Sequence, residues 1–297
     1  MDQIAADALA KLNYPNIKIV TMNDLNQSWI ELAKSKMSWG QICWTMQPII
    51  CSYVLSQNES HVTYLEADSY FFNKPEILID EIGDKSISLV PHAFSPEALK
   101  HEDASGIYCV QFNYFKNNEI AKKCLDYWRE SCFKYNKNTP LYLPGQICLN
   151  DWETNFKDVA IVNHPGAGVA PWNVQKYKIE KTPTVDGKPV VFYHYHQLAR
   201  YPNGDFDLGT YPLSNEANEY LYIPYMKAIL KAEKEIKETS PTFNYRREVS
   251  PLPGIFNGFY DLFLKFKKNT LKTSLKPLIR KIKGVYNVVK LSTLTHD

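Results

Sequence analysis

The run His61-Val62-Thr63-Tyr64-Leu65-Glu66-Ala67-Asp68-Ser69-Tyr70-Phe71-Phe72 places two carboxylates, one residue apart, directly after an apolar stretch. Hard divalent cations such as Mn²⁺ and Mg²⁺ take carboxylate oxygens. A cation held there neutralises the charge that develops on a departing diphosphate. At a strand end both side chains reach the same space. Asp68 then reads as a direct metal ligand, and Glu66 as an assisting ligand or a ribose contact. An acidic pair alone says little, because acidic loop residues are common. What gives this pair context is the strand before it, expected to be buried, and the aromatic run after it. A second set of candidates lies in Val190-Val191-Phe192-Tyr193-His194-Tyr195-His196. Period-2 alternation puts His194 and His196 on one strand face. Neutral imidazole ligates Mn²⁺ and donates to diphosphate oxygens. His196 is thus a candidate metal ligand and His194 a candidate donor contact.

A third segment, His164-Pro165-Gly166-Ala167-Gly168-Val169-Ala170-Pro171-Trp172-Asn173, joins small residues to a fixed turn. Glycines let backbone N–H groups approach an anion closely. Trp172 reads as an exposed ring that stacks on a sugar, and Asn173 as a partner for its hydroxyls. The alternative is an ordinary tight loop with a structural Trp.

These residues need a scaffold, and the pattern of apolar residues outlines one. Strands are expected over 16–22, 61–65, 87–90, 107–115, 159–162 and 190–193. Helices are expected over 24–35 with Asp24 as N-cap, over 39–56 with a break or kink at Pro48, after Pro75, and over 119–135. Alternating strands and helices imply an α/β fold with a mostly parallel sheet flanked by helices. In such sheets ligands bind beyond the carboxyl ends of the strands. Glu66, Asp68, His194 and His196 all fall at such ends.

After Tyr211 the character changes. A polar helix is expected over 216–238, followed by Pro241, Pro251 and Pro253. Residues 262–290 are rich in Lys and Arg and lack Asp and Glu. Their apolar residues recur at helical spacing, which fits an interfacial helix on anionic lipid better than a nucleic-acid-binding arm. A solvated helix packed on its own domain fits equally well. The expected organisation is therefore one domain over 1–212 and a helical, basic extension over 213–297.

Of the 297 residues 44% are hydrophobic, which marks globular material with a sizeable core. The formal net charge of +2 selects no class of partner. Aromatic residues are abundant, with 20 Tyr, 14 Phe and 6 Trp, and suit either a large aromatic core or stacking surfaces for sugars. The 6 Cys have neither CxxC nor zinc-site spacing, which fits a reducing compartment. No basic segment followed by an apolar run opens the chain, and no stretch has bilayer-spanning length. A cytoplasmic protein, at most peripheral to the membrane, is expected.

The ordered motifs resemble those of the bacterial nucleotide-diphospho-sugar transferases, a family of GT-A type glycosyltransferases. The resemblance runs from about Leu9 to Leu198. It is carried by Cys43-Trp44-Thr45, Glu66-Ala67-Asp68, Pro91-His92-Ala93-Phe94-Ser95-Pro96, Trp128-Arg129-Glu130-Ser131-Cys132 and Gly145-Gln146 leading to Trp152. The loop at His164 to Asn173 and the strand at Phe192 to His196 complete it. It implies a GT-A fold and a Mn²⁺ or Mg²⁺ cofactor. The implied reaction is sugar transfer from a nucleotide-diphosphate donor to a saccharide or lipid-linked acceptor. Gln146 becomes a donor contact and Asp151 a candidate general base. The chain also departs from the pattern. Glu66 stands where the family has Asp, Gly145 where it has Asp, and Met37, Gln41 and Cys109-Val110-Gln111 replace family residues. Nothing ahead of Asp2 matches the family's first strand and helix. Two readings stay open: an active transferase, or a transferase-like binding or scaffolding protein that has lost catalysis.

Overall fold

A computed structural model describes residues 3–134, 144–201, 203–243 and 287–295 of the chain. Helix α1 (Gln3–Leu12) comes first. The strand expected over 16–22 does not form; the segment is irregular and ends in a 3₁₀ turn, Met22–Asp24. A strand needs a neighbour to take its backbone hydrogen bonds, and no described strand pairs with this run. Asp24 closes that turn, its Oδ2 accepting from the Thr21 amide at 2.7 Å. Helix α2 (Gln27–Lys36) is capped instead by Asn26, whose Oδ1 accepts from the Ser28 amide at 3.0 Å. Helix α3 (Trp39–Ser56) continues through Pro48 without ending there.

Strand β1 (His61–Leu65) leads to the short β2 (Ser69–Phe71). Pro75 then opens α4 (Glu76–Ile82), followed by β3 (Ile87–Pro91) and the single turn α5 (Glu102–Ser105). The long strand expected over 107–115 is two strands, β4 (Tyr108–Cys109) and β5 (Phe112–Lys116). Both pair antiparallel with β3, but Val110 and Gln111 between them leave the ladder. Helix α6 (Glu119–Phe133) is capped by Asn118, whose Oδ1 accepts from the Ala121 amide at 3.0 Å. The short helices α7 (Pro144–Ile147) and α8 (Trp152–Asn155) lead to β6 (Val159–Ile161). A small meander follows, β7 (Ile179–Glu180), β8 (Thr184–Val185) and β9 (Lys188–Pro189). Next come β10 (Phe192–His194), β11 (Ala199–Arg200) and β12 (Phe206–Asp207). The expected helix over 216–238 is α9 (Asn215–Ala217), a π turn and α10 (Ile223–Thr239) in succession. Strand β13 (Val288–Val289) pairs with β12.

The architecture is mixed α/β. The main sheet runs β1-β5-β3-β4, with β6 also on β3. The expectation of a mostly parallel sheet is wrong: among the named strands only β3 and β6 pair parallel. β5 turns back antiparallel on both β1 and β3, and only β6, reached through α6, α7 and α8, enters alongside β3 in the same direction. β1 is also not the buried strand expected; it lies at the sheet edge and is half-buried.

Period-2 alternation gives the sheet two apolar faces. Ile87, Leu89 and Phe115 pack with Trp128 of α6 and Trp152 of α8. Val90, Phe112 and Tyr114 pack on the other side with Leu78 and Ile82 of α4. Burial of each such side chain contributes about 1.5–3 kcal/mol. Part of the C-terminal extension joins a further core: Leu221, Tyr222, Met226 and Leu294 pack with Tyr193, Tyr195 and Phe206. The basic segment 262–290 lies outside the described residues except for 287–290.

Candidate functional site

The site is assembled by a ribbon separate from the main sheet. After β1, the turn Glu66-Ala67-Asp68 feeds β2, which pairs antiparallel with β10, Ser69 opposite His194. The Tyr195 amide extends the pairing by donating to the Asp68 carbonyl at 2.8 Å. Through this ribbon the acidic turn meets the histidine strand. His194 Nε2 lies 3.0 Å from Asp68 Oδ1. On its other side, His194 Nδ1 lies 3.2 Å from Gln111 Oε1. Gln111 reaches that point because it leaves the ladder between β4 and β5. Irregularities of this kind re-aim side chains next to sites.

Glu66, Asp68, Gln146, His194 and His196 line one cavity of about 340 Å³. Helix α3 supplies the opposite wall with Trp44 and Gln47. The two carboxylates are held in different electrostatic states. Burial is the largest influence on Glu66 and raises its pKa; Glu66 Oε1 also accepts from Gln47 Nε2 at 2.8 Å and from the Tyr64 hydroxyl at 3.1 Å. Burial likewise works to raise Asp68, but the hydrogen bond and charge of His194 outweigh it and hold Asp68 below the usual carboxylate range. Asp68 is therefore the ready anion of the pair, with a side chain 44% exposed. Environments that push two carboxylates apart let them take different roles. Burial and the nearby His194 keep His196 below the ordinary imidazole value, so it stays neutral with a lone pair to give.

Three predicted residues serve the scaffold instead. Trp172 is not an exposed stacking ring: it is 4% exposed, and its indole N–H donates to the His92 carbonyl at 2.9 Å. Its ring is the wall that His194 and His196 meet nearly edge-on, with centroids 5.2 and 5.7 Å away. Asn173 is fully engaged in folding its loop. Its Oδ1 accepts from the Ala170 amide, and its Nδ2 donates to the His92 and Gly168 carbonyls. Asn173 has no donor left for a sugar hydroxyl. Asp151 accepts from the Tyr127 hydroxyl at 3.0 Å and does not line the cavity. Gln146 does line it, with Oε1 accepting from the Val110 amide and Nε2 donating to the Ser105 carbonyl.

The glycines of the loop also have a packing reason. A methyl at Gly168, whose φ is +67°, would overlap Gln111 Nε2 and lie 2.8 Å from Val90 Cγ1. Gly168 thus fixes the amide that fixes His194. Sequence reasoning missed Gln47 and Gln111. Gln47 lies on α3 one turn after Trp44, and only tertiary packing brings it to Glu66. Gln111 stands out in the sequence only as part of Cys109-Val110-Gln111, a departure from the family pattern, with no contact to His194 attached to it.

His92, behind the site, carries a pH dependence. Burial is the main influence and lowers its imidazole from 6.5 to about 4. Unfolded, the group titrates near 6.5, so between these values the unfolded chain binds more protons. The contribution of His92 to stability is therefore full above pH 6.5 and is lost as pH falls towards 4, by about 3 kcal/mol in all. The variant His92→Gln is expected to flatten the acid limb of urea-unfolding stability over that range. An unchanged limb would assign the slope to other groups.

Among the described residues no three His, Cys, Asp or Glu side chains form a ready cage for a cation. A nucleotide-bound cation does not require one. Mg²⁺ commonly takes one or two carboxylates, with substrate phosphates and water filling the remaining positions. The exposed, ionised Asp68 with neutral His196 on the same cavity fits that smaller demand. No described helix is long and apolar enough to cross a membrane.

No protein-family model and no solved structure matches the chain. Two curated relatives come from Bacillus subtilis (strain 168), and both bear the name "Uncharacterized protein". The chain is 25% identical to YfnD over 254 residues, 82% of this chain and 82% of that one. It is 27% identical to YfnF over 209 residues, 66% of this chain and 69% of that one.

Proposed function

We propose that the cavity between the β2–β10 ribbon and α3 is the donor site of a metal-dependent glycosyltransferase of GT-A type. One observation carries the reading: the Glu66–Asp68 turn and the His194–His196 strand converge on a single cavity, with Asp68 ionised and His196 neutral. Asp68 and His196 would hold a Mn²⁺ or Mg²⁺ ion, which supplies positive charge against the diphosphate of a nucleotide sugar. In the transfer, an acceptor hydroxyl oxygen bonds to the anomeric carbon and the hydroxyl proton passes to solvent. The bond from that carbon to the diphosphate oxygen breaks, and its electron pair leaves with the diphosphate. His194, tied to Asp68 and Gln111, fixes the carboxylate and does not compete for the cation. Glu66, with its raised pKa, contributes hydrogen bonding more than charge. A saccharide or lipid-linked hydroxyl is the acceptor in this reading.

A second reading is a non-catalytic binding protein on the same scaffold. It is favoured by the engagement of Glu66 with Gln47 and Tyr64, which leaves one carboxylate free for a cation. Calorimetry of the full chain with UDP- and GDP-sugars, with and without Mn²⁺, tests both. Binding that depends on Mn²⁺ is expected. Absence of any such binding sinks the transferase reading, and binding without release of nucleotide diphosphate on addition of acceptor sugars selects the second.

A further inference from the structure

The cavity does not end at the histidines. Gln146, His194 and His196 also line a second hollow of about 270 Å³. That hollow shares His101, Gln197 and Tyr211 with a third of about 380 Å³. Through these shared residues the three hollows adjoin one another, with the acidic pair lining the first and Tyr211 the second and third. We propose that the second and third hollows, centred on Tyr211 and Gln197, form a saccharide acceptor subsite. The proposal rests on the donor-site reading above.

The chemistry of the walls selects the ligand class. Tyr211 is a half-buried ring lining both hollows, with its centroid 6.2 Å from that of His196 and 6.2 Å from that of His101. Rings in such places stack on the apolar face of a sugar. Around it the lining is polar and close to neutral. Lys100 and Glu97 offset each other at the third hollow, so it offers no net charge for a phosphate or a peptide of one sign.

One buried polar group there lacks a protein partner, and one exposed amide beside it is engaged through its oxygen only. Ser95, 1% exposed, has a buried hydroxyl without a hydrogen bond and lines the third hollow. Buried hydroxyls are normally satisfied, and an orphan calls for a ligand or a water. The amide is that of Gln197. Its Oε1 accepts from the Thr210 amide at 3.1 Å and hydroxyl at 2.9 Å, which fixes the orientation of its amide. That leaves its Nε2 to donate into the hollows. Gln197 directly follows His196 and holds a left-handed backbone, with φ of 70°. A non-glycine residue in that region is strained, and such strain gathers at sites that bind ligands. Donors, acceptors and one ring without net charge describe a polyhydroxyl ligand. Because the second hollow adjoins the donor cavity at His196, a sugar seated there presents a hydroxyl towards that cavity.

The test compares the full-length wild type with Tyr211→Ala and Tyr211→Phe. Each is applied to a microarray of bacterial oligosaccharides and polysaccharides, and each is titrated separately with UDP- and GDP-sugars plus Mn²⁺. Wild type and Tyr211→Phe are expected to bind a saccharide probe, and Tyr211→Ala to bind it about tenfold more weakly. All three should bind nucleotide sugar alike, which shows that the Ala variant is folded. Saccharide binding by Tyr211→Ala equal to wild type, or by none of the three proteins, overturns the subsite while nucleotide-sugar binding keeps the donor reading. Saccharide binding that depends on Tyr211, with no nucleotide-sugar binding, keeps the glycan site and overturns the donor reading instead. If Tyr211→Ala loses both ligands, Gln197→Ala decides: weaker saccharide binding with nucleotide-sugar binding retained supports the subsite, and saccharide binding equal to wild type overturns it.

Discussion

Asp68→Asn is expected to weaken Mn²⁺-dependent nucleotide-sugar binding by about 100-fold and to leave the fold intact. The asparagine keeps the shape of the side chain. Its oxygen still accepts a hydrogen bond from His194 Nε2, the group now 3.0 Å from Asp68 Oδ1. What it loses is the negative charge, which the neighbourhood of His194 maintains against burial. Disturbing even the outer partners of metal ligands costs about 10- to 100-fold, so loss of the ligand charge itself falls at the upper end or beyond. Glu66 does not replace it, because its raised pKa and its bonds to Gln47 and Tyr64 hold it in another role. Calorimetry reads the affinity and thermal unfolding reads the fold. Unchanged Mn²⁺-dependent affinity in a folded Asp68→Asn protein would remove Asp68 from the cation site.

The largest expected loss of stability is at Gly166. A methyl there would overlap the Pro189 carbonyl oxygen and lie 2.9 Å from its carbon and 3.0 Å from Val190 Cα. All three are backbone atoms, so no side chain can swing aside. The Gly166 carbonyl also accepts from the Val191 amide at 2.8 Å, immediately before β10. Moving either strand of chain therefore disturbs the ribbon that carries His194. Gly166→Ala is expected to cost at least about 3 kcal/mol in urea unfolding and to lose the site with it. Gly40 makes a control: a methyl there meets nothing within 4 Å, on the helix α3. Gly40→Ala is expected to be neutral or to stabilise by up to about 1 kcal/mol. Equal stability of Gly166→Ala and wild type would show that the loop and the Pro189 backbone can part at little cost.

The elements that position the site were legible where their own residues decide the outcome. Strand β1, strand β3 and helix α6 follow from the local apolar period. The run over 16–22 has the same apolar character, yet a strand also needs a partner, and no window of sequence contains that condition. Strand direction was misread for a related reason. Parallel or antiparallel pairing is decided by which strands meet across the sheet, as β3 meets β4, β5 and β6, and local pattern does not carry that. At the site, strand-end placement put Glu66, Asp68, His194 and His196 together, and they line one cavity; Gln146, which only the resemblance singled out, lines it too. Type alone could not show that Trp172 is buried or that the amide of Asn173 is consumed by its own loop. Gln47 and Gln111 act through contacts made across 19 and 83 positions of chain, which local pattern does not encode.

The β2–β10 ribbon has a mechanical consequence. Asp68 and His194 are carried by two strands bonded to each other, so they travel as one body when the cavity widens or narrows. Glu66 is latched to α3 through Gln47, and so belongs in part to the facing wall. The seam between the two bodies therefore passes through the acidic pair itself, between Glu66 and Asp68. A ligand that draws the walls together changes the spacing of the two carboxylates while leaving Asp68 and His194 in register.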